Sequence, residues 1–226
     1  MGFKVKPMRL MAVFAHPDDE IGVAGTLAKH ARRGDAIKLI WLTYGELASH
    51  FGQMPEPEVA AIRQEHGRKV AELIGAEYAF LGLPDAGLSA SRDEALKVAH
   101  EIAQWRPDVV FTWDPYDVHP DHRAAYWDVL SALKLCRIPK LVGEAHRAPV
   151  RLLHYFREDL PRPAIFIDIE ETLEVAVEVF RVYQEFYGWD RGPEEFRESR
   201  ARLGALAGVR YAERFQSERP LAHSYL

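Results

Sequence analysis

A single cysteine, Cys136, is all that the 226 residues hold, so no disulfide can form within the chain. A lone thiol fits a reducing compartment. Long hydrophobic runs are lacking too. The apolar stretch at residues 10–15 is far shorter than the ~20 residues that cross a bilayer. The opening Met1-Gly2-Phe3-Lys4-Val5-Lys6-Pro7 has no apolar segment with a small-residue cleavage site, as a secretory leader would. Positive charge is not in excess. Lys and Arg number 29 against 34 Asp and Glu, a net charge of -5, so no general attraction to nucleic acid or to an anionic membrane follows. Internal repeats, low-complexity segments and linker-like breaks are absent as well. The expectation is a soluble cytoplasmic protein of one domain, residues 1–226.

What is present is core-forming sequence, 48% hydrophobic and 28% charged. Short apolar runs at 9–15, 36–43, 77–81 and 108–113 read as buried strands. Amphipathic segments at 21–33, 58–74 and 121–135 follow the first, second and fourth of them. Their expected inward residues include Val59, Ile62, Val70 and Leu73, then Ala124, Trp127, Leu130 and Leu133. Gly75 is placed to end one helix, and Ser91 with Glu94 has capping-box spacing to begin another. Four β-α units of this kind predict a doubly wound, mostly parallel sheet of order 3-2-1-4-5 with helices on both faces. Beyond them, 151–156 and 164–169 read as strands and 170–186 and 194–208 as helices, with a less regular tail at 211–226.

Two turns carry the chemistry. Ala15-His16-Pro17-Asp18-Asp19-Glu20 follows the first strand, and Asp114-Pro115-Tyr116-Asp117-Val118-His119-Pro120-Asp121-His122 follows the fourth. In the expected strand order these strands are neighbours, and ligands bind in the crevice beyond their carboxyl ends. His16, Asp19 and His122 would then supply two imidazoles and a carboxylate with a position left for water, a set typical of hydrolytic zinc. Asp18 is placed to accept a proton from that water. His119, if protonated, would polarise a substrate carbonyl, and Asp121 would keep it charged and oriented. The same ligand set also suits non-haem Fe(II). Pro17 followed by three acids is, besides, ordinary chemistry for a helix start.

At these residues the chain resembles the zinc-dependent de-N-acetylases of the LmbE/PIG-L family. The likeness lies in His-Pro-Asp-Asp-Glu at 16–20 and His-Pro-Asp-His at 119–122. It extends to Thr43-Tyr44-Gly45-Glu46, Leu81-Gly82-Leu83-Pro84-Asp85 and Arg106-Pro107-Asp108-Val109-Val110. The tail Gly208-Val209-Arg210-Tyr211-Ala212-Glu213-Arg214-Phe215 is similar to the bacillithiol-biosynthesis branch. The resemblance implies a Rossmann-like fold, Zn2+ and hydrolysis of the N-acetyl group of an N-acetylglucosamine (GlcNAc) conjugate, GlcNAc-malate first. It implies His16, Asp19 and His122 as metal ligands, Asp18 as general base and His119 as electrophile. Arg63 would pair with a carboxylate such as malate, Tyr211 would touch the intermediate, and the protein would be a homo-oligomer, possibly a hexamer. Departures are present: Arg202-Leu203-Gly204 stands where relatives carry an aromatic residue before Gly.

Other residues read more plainly. Gly22 and Gly25 give only G-x-x-G, which fits close helix packing better than a dinucleotide loop. His66 lies on an apolar stripe as a satisfied core histidine. Glu46 and Asp85 follow strands at the site's end of the sheet, where either would bind a sugar hydroxyl or cap a loop. Cys136 reads as a helix-face thiol, and Trp105 and Trp113 as core rather than sugar platform. The competing functions are a deacetylase of chitooligosaccharide or another acylated amine, an Fe(II) oxygenase, and a non-catalytic nucleotide- or sugar-binding module.

Overall fold

The computed structural model describes residues 6–155 and 164–217. Among them, seven strands form one sheet: β1 (Arg9–Phe14), β2 (Ala36–Thr43), β3 (Glu77–Leu83), β4 (Val109–Thr112), β5 (Arg151–Tyr155), β6 (Ala164–Asp168) and β7 (Ala212–Ser217). Their order is β3-β2-β1-β4-β5-β7-β6. The first five are parallel and follow the expected order 3-2-1-4-5. β7 runs antiparallel between β5 and β6. The sequence reading left β7 in the irregular tail, because Ala-Glu-Arg-Phe-Gln-Ser has neither an apolar run nor a clean alternation. Its partners on both sides make it a strand. The rest of that tail, 218–226, lies outside the described residues.

Seven helices among the described residues cover the sheet: α1 (Ala24–Arg32), α2 (Glu56–Ile74), α3 (Arg92–Trp105), α4 (Pro120–Leu135), the single turn α5 (Pro139–Val142), α6 (Leu173–Tyr187) and α7 (Pro193–Ala207). One core joins Leu10, Leu39, Trp41 and Phe111 of the sheet to α1, α2 and α6. A second core on the opposite face joins Met11, Ile40 and Val110 to α3 and α4. Gly75 ends α2 at φ 82°, a left-handed conformation that glycine adopts without steric cost. Ser91 and Glu94 form the expected capping box of α3.

Three expected core residues lie outside. Leu73, Trp127 and Leu130 are exposed, Trp127 at 50%. The buried stripe of α2 is Val59-Arg63-His66-Gly67-Val70-Ala71-Ile74, which carries an arginine and a histidine on its inner face. That of α4 is Asp121, Ala124, Ala125, Tyr126, Asp128, Val129 and Ala132, mostly small residues where the helix packs on α3 and the sheet. Val59, Val70 and Ala124 are buried as expected, and the polar and small members of both stripes are what apolar periodicity does not show. His66 is buried as expected, but its Nδ1 has no hydrogen-bond partner among the described residues, and burial lowers its pKa to about 4. It is a neutral core histidine rather than a satisfied one.

A cradle for phosphate is not what the G-x-x-G turn makes. A Cβ on Gly22 would strike the Tyr155 ring, and one on Gly25 would meet Ile169 and Glu213. The Glu213 carboxylate of β7 accepts the backbone N–H of Gly25 at 2.9 Å and of Thr26 at 2.8 Å. The anion that the start of α1 attracts is thus part of the chain itself.

Candidate active site

The carboxyl ends of β1 and β4 bring the two turns together. After β1 the backbone turns sharply: Asp18 has φ 113°, which a non-glycine residue adopts at a cost of about 1–3 kcal/mol. A 3-10 turn, Asp19–Gly22, then leads into α1. After β4, Asp114–Val118 loops out, and His119 caps α4 with Pro120 at its first position.

Asp19 stands at the centre. Its Oδ1 is 3.3 Å from His122 Nε2, its Oδ2 is 3.7 Å from His16 Nδ1, and Trp113 Nε1–H donates to Oδ2 at 2.7 Å. Burial opposes the Asp19 charge, but His122 and His16 hold the carboxyl well below its usual range. The three imidazoles of His16, His119 and His122 also offer nitrogens within 4.8 Å of one another.

Each histidine has its own support. His16 Nε2 lies 3.1 Å from Asp85 Oδ1 and 3.2 Å from Asp121 Oδ2, which leaves Nδ1 facing Asp19. This is the pattern by which carboxylates orient a metal-binding imidazole from behind. His122 places Nδ1 3.0 Å from Asp117 Oδ1, and its ring stacks flat on Trp113 at 3.8 Å between centroids. Burial disfavours charge on both rings, yet Asp121, Asp85 and Asp19 raise His16 to about 10, while Asp19 and Asp117 raise His122 to about 9. The two imidazoles, 5.3 Å apart between ring centroids, face one carboxylate from two sides, and nitrogen and oxygen donors of this kind are those a divalent cation takes. The donor set therefore fits such a cation, which would take the place of the protons.

His119 departs from expectation. Its Nδ1 accepts the backbone N–H of Asp121 at 3.2 Å, so the ring's proton belongs on Nε2. Burial, together with His122 and His16, lowers its pKa. The structure supports a neutral donor here, not the imidazolium anticipated. The Asp121 carboxylate, expected on His119, is instead on His16 and on the backbone N–H groups of Ala86 and Leu88. Its place one residue after Pro120 aims its N–H at the capping ring and its side chain beneath β1.

Asp18 lies beside this centre without touching His16 or His122. Burial, helped by Asp19 and Glu20 and opposed by Arg63, pushes its carboxyl up to about 7. Arg63 is 2% exposed, and it reaches Tyr187 Oη, the Pro17 carbonyl and, at 3.5 Å, Asp18 Oδ2. The resemblance implied a partner for malate here; the inner face of α2 carries the guanidinium inward, behind Asp18. Glu46 accepts the Asp85 N–H at 3.0 Å, a tie between two loops. Tyr211, just ahead of β7, has its carbonyl bonded to Ile169 N–H and its ring under the Arg210 guanidinium. Trp113, read as core, and Asp117, not singled out, both touch His122. Asp117's place five residues ahead of His122 in a polar turn was the available signal.

The family model for GlcNAc-PI de-N-acetylases (PIG-L) matches residues 11–133, a span that contains both turns. The chain belongs to that family. The deacetylase is 26% identical over 218 residues to diacetylchitobiose deacetylase of Thermococcus kodakarensis, covering 91% of this chain and 81% of that one. Among solved structures, the conserved protein TT1542 of Thermus thermophilus is 30% identical with a TM-score of 0.83, covering 96% of this chain and 97% of that one. GalB of Pseudomonas putida, a 4-carboxy-2-hydroxymuconate hydratase, has a TM-score of 0.85 at 22% identity, covering 97% and 99%, and shows the fold alone. The protein is thus a deacetylase of the kind that acts on GlcNAc-containing small molecules, and its histidines and acids include groups that could hold a metal ion. No described helix is long and apolar enough to cross a membrane.

Proposed function

We propose that the protein is a zinc-dependent N-deacetylase of a neutral GlcNAc glycoside, with Asp18 as general base. The carrying observation is the place of Asp18: it adjoins the Asp19 that His16 and His122 flank, and its carboxylate faces the Arg63 guanidinium at 3.5 Å. A general base must stand within reach of the water it activates without being held as a metal ligand. His16, Asp19 and His122 would hold the zinc, which supplies Lewis acidity and brings water's pKa down to about 7. Asp18 then takes the proton from the attacking water and passes it to the departing amine. The His119 Nε2–H donates to the acetamide oxygen as negative charge gathers there, and it needs no positive charge to do so. Zinc rather than iron fits a reaction with no redox step.

The neutral aglycone follows from Arg63. The guanidinium expected to pair with malate is enclosed and engaged with Pro17, Asp18 and Tyr187. The likeness to a diacetylchitobiose deacetylase over 91% of the chain favours the same reading. GlcNAc-malate is the second reading, which the tail at 208–215 favours. Acetate release from diacetylchitobiose, GlcNAc-inositol and GlcNAc-malate, with metal content, tests both. Asp18→Ala is expected to keep its metal and to lose acetate release by about 10²–10⁴-fold. Full activity in that variant would overturn the assignment, and fastest cleavage of GlcNAc-malate would restore the second substrate.

A further inference from the structure

Asp18 adopts a left-handed φ of 113° without being glycine, so something must keep its peptide from turning over. The two ends of the Pro17–Asp18 peptide meet buried side chains of opposite polarity, an acceptor and a donor. The Asp18 N–H donates to Glu20 Oε2 at 3.1 Å. The Pro17 carbonyl accepts from the Arg63 guanidinium. A flip of this peptide would turn its carbonyl toward Glu20 oxygens that already accept from Trp41 and Tyr183, and its N–H toward the Arg63 guanidinium, so that both hydrogen bonds would be lost with acceptor facing acceptor and donor facing donor.

Both side chains are anchored. Glu20 is fully buried, and it accepts from Trp41 Nε1–H at 2.9 Å and from Tyr183 Oη–H at 2.5 Å. Arg63 is braced by Tyr187 Oη. Tyr183 and Tyr187 stand one turn apart on α6. That helix lies outside the span matched by the family model.

We propose that Glu20 and Arg63 form a polarity-reading clamp on the Pro17–Asp18 peptide, which fixes the direction of the Asp18 carboxylate and rests on α6. Both are positioning residues that act through Asp18. The proposal depends on Asp18 being the base, and its test separates the two claims.

The experiment measures kcat, KM, metal content and thermal midpoint for Glu20→Gln, Arg63→Met and Arg63→Lys, each in the native and the Asp18→Asn background. Glu20→Gln keeps the shape and can still accept from the Asp18 N–H, but it no longer penalises the flipped peptide. The expected result for Glu20→Gln and Arg63→Met is a kcat lower by about 10–100-fold, as misaimed catalytic groups give. KM stays within about threefold and metal content is unchanged. Arg63→Lys, which retains a donor for the Pro17 carbonyl, regains part of the loss. In the Asp18→Asn background the same changes add no further loss of rate.

Native kcat in Glu20→Gln overturns the clamp. So does a loss that persists in the Asp18→Asn background, or one that appears in KM or metal content instead of kcat. If Arg63→Met fails to fold, Glu20→Gln decides alone. Full activity of Asp18→Asn would remove the base itself and the clamp with it. An inactive Asp18→Asn beside fully active clamp variants removes only the clamp.

Discussion

The two turns that meet at the centre are built differently. Ahead of α1, the carboxylates of Asp19 and Glu20 are buried, and each is met by donors from strands or helices distant in sequence. Ahead of α4, the turn stands in the open: Val118 is 89% exposed and Tyr116 is 55% exposed. Its His122 nonetheless faces inward, held between Asp117 and the Trp113 ring. A buried polar network is rigid when every member is satisfied. The first turn is therefore the fixed half, which sets the aim of Asp18 and Asp19. The second combines His119 and His122 with an exposed, partly apolar rim at Tyr116 and Val118. If that rim admits substrate, the second turn serves both reaction and admission, and the first serves reaction alone.

Removing the cation tests what the halves share. Without it, His16 and His122 face each other as like charges around Asp19. Chelation is expected to abolish acetate release and to lower the thermal midpoint by several degrees. A cation at a thousand times its Kd contributes about 4 kcal/mol. Zinc returned in stoichiometric amount should restore both. A midpoint and an activity indifferent to chelator would mean that the halves meet for another reason.

Support from behind is the next difference. His16 has two carboxylates on its outer nitrogen, whereas His122 has Asp117 alone. Asp117→Asn is expected to weaken metal affinity by about 10–100-fold, the usual cost of losing an outer partner. Asp85→Asn should cost less, because Asp121 remains on His16. Competition with a chromogenic chelator measures both, and equal losses would erase the contrast.

How much of this was legible beforehand follows from the same contrast. Both motifs, and the strand order that joins them, were readable because apolar runs alternate with amphipathic segments and the polar turns fall at strand ends. The side chains that aim the site were not. Arg63 reads as a partner for a substrate carboxylate until the inner stripe of α2 is seen to carry it. Asp121 follows His119 by two residues, yet its carboxylate reaches His16, 105 positions away. Trp113 was legible as core and not as the plate beneath His122. β7, whose Glu213 occupies the start of α1, has no apolar pattern to announce it. Local pattern reports elements, while partners across the sheet appear only once it is folded.

Buried acids sharpen the contrast in a different property. Glu20 receives three donors, whereas both oxygens of Asp128, on α4, lack hydrogen-bond partners among the described residues. Burial, with a contribution from Glu94, pushes the Asp128 carboxyl up to about 8. A raised folded-state pKa on an acid means that the folded chain prefers the neutral form. Its contribution to stability is full below pH ~4 and is lost as pH climbs through about 8. Asp128→Asn should therefore raise the thermal midpoint relative to the native chain by a few degrees at pH 8. The gain should be smaller at pH 5. A difference that does not grow with pH would show that Asp128 finds a partner in solution.

The smallest expected effect lies at the rim. Val118 touches neither core, so Val118→Ser should leave the thermal midpoint and the metal content in place, as surface substitutions stay within about 0.5 kcal/mol. If the rim only admits substrate, kcat should hold while KM for diacetylchitobiose rises a few-fold, because lost uniform binding appears in KM alone. Tyr116→Ser should act in the same sense and more strongly, since an aromatic ring offers a sugar face more area than an isopropyl group does. A fall in kcat with KM unchanged would place the rim in the reaction itself, beside His119 and His122, and its reading as an entrance would have to be abandoned.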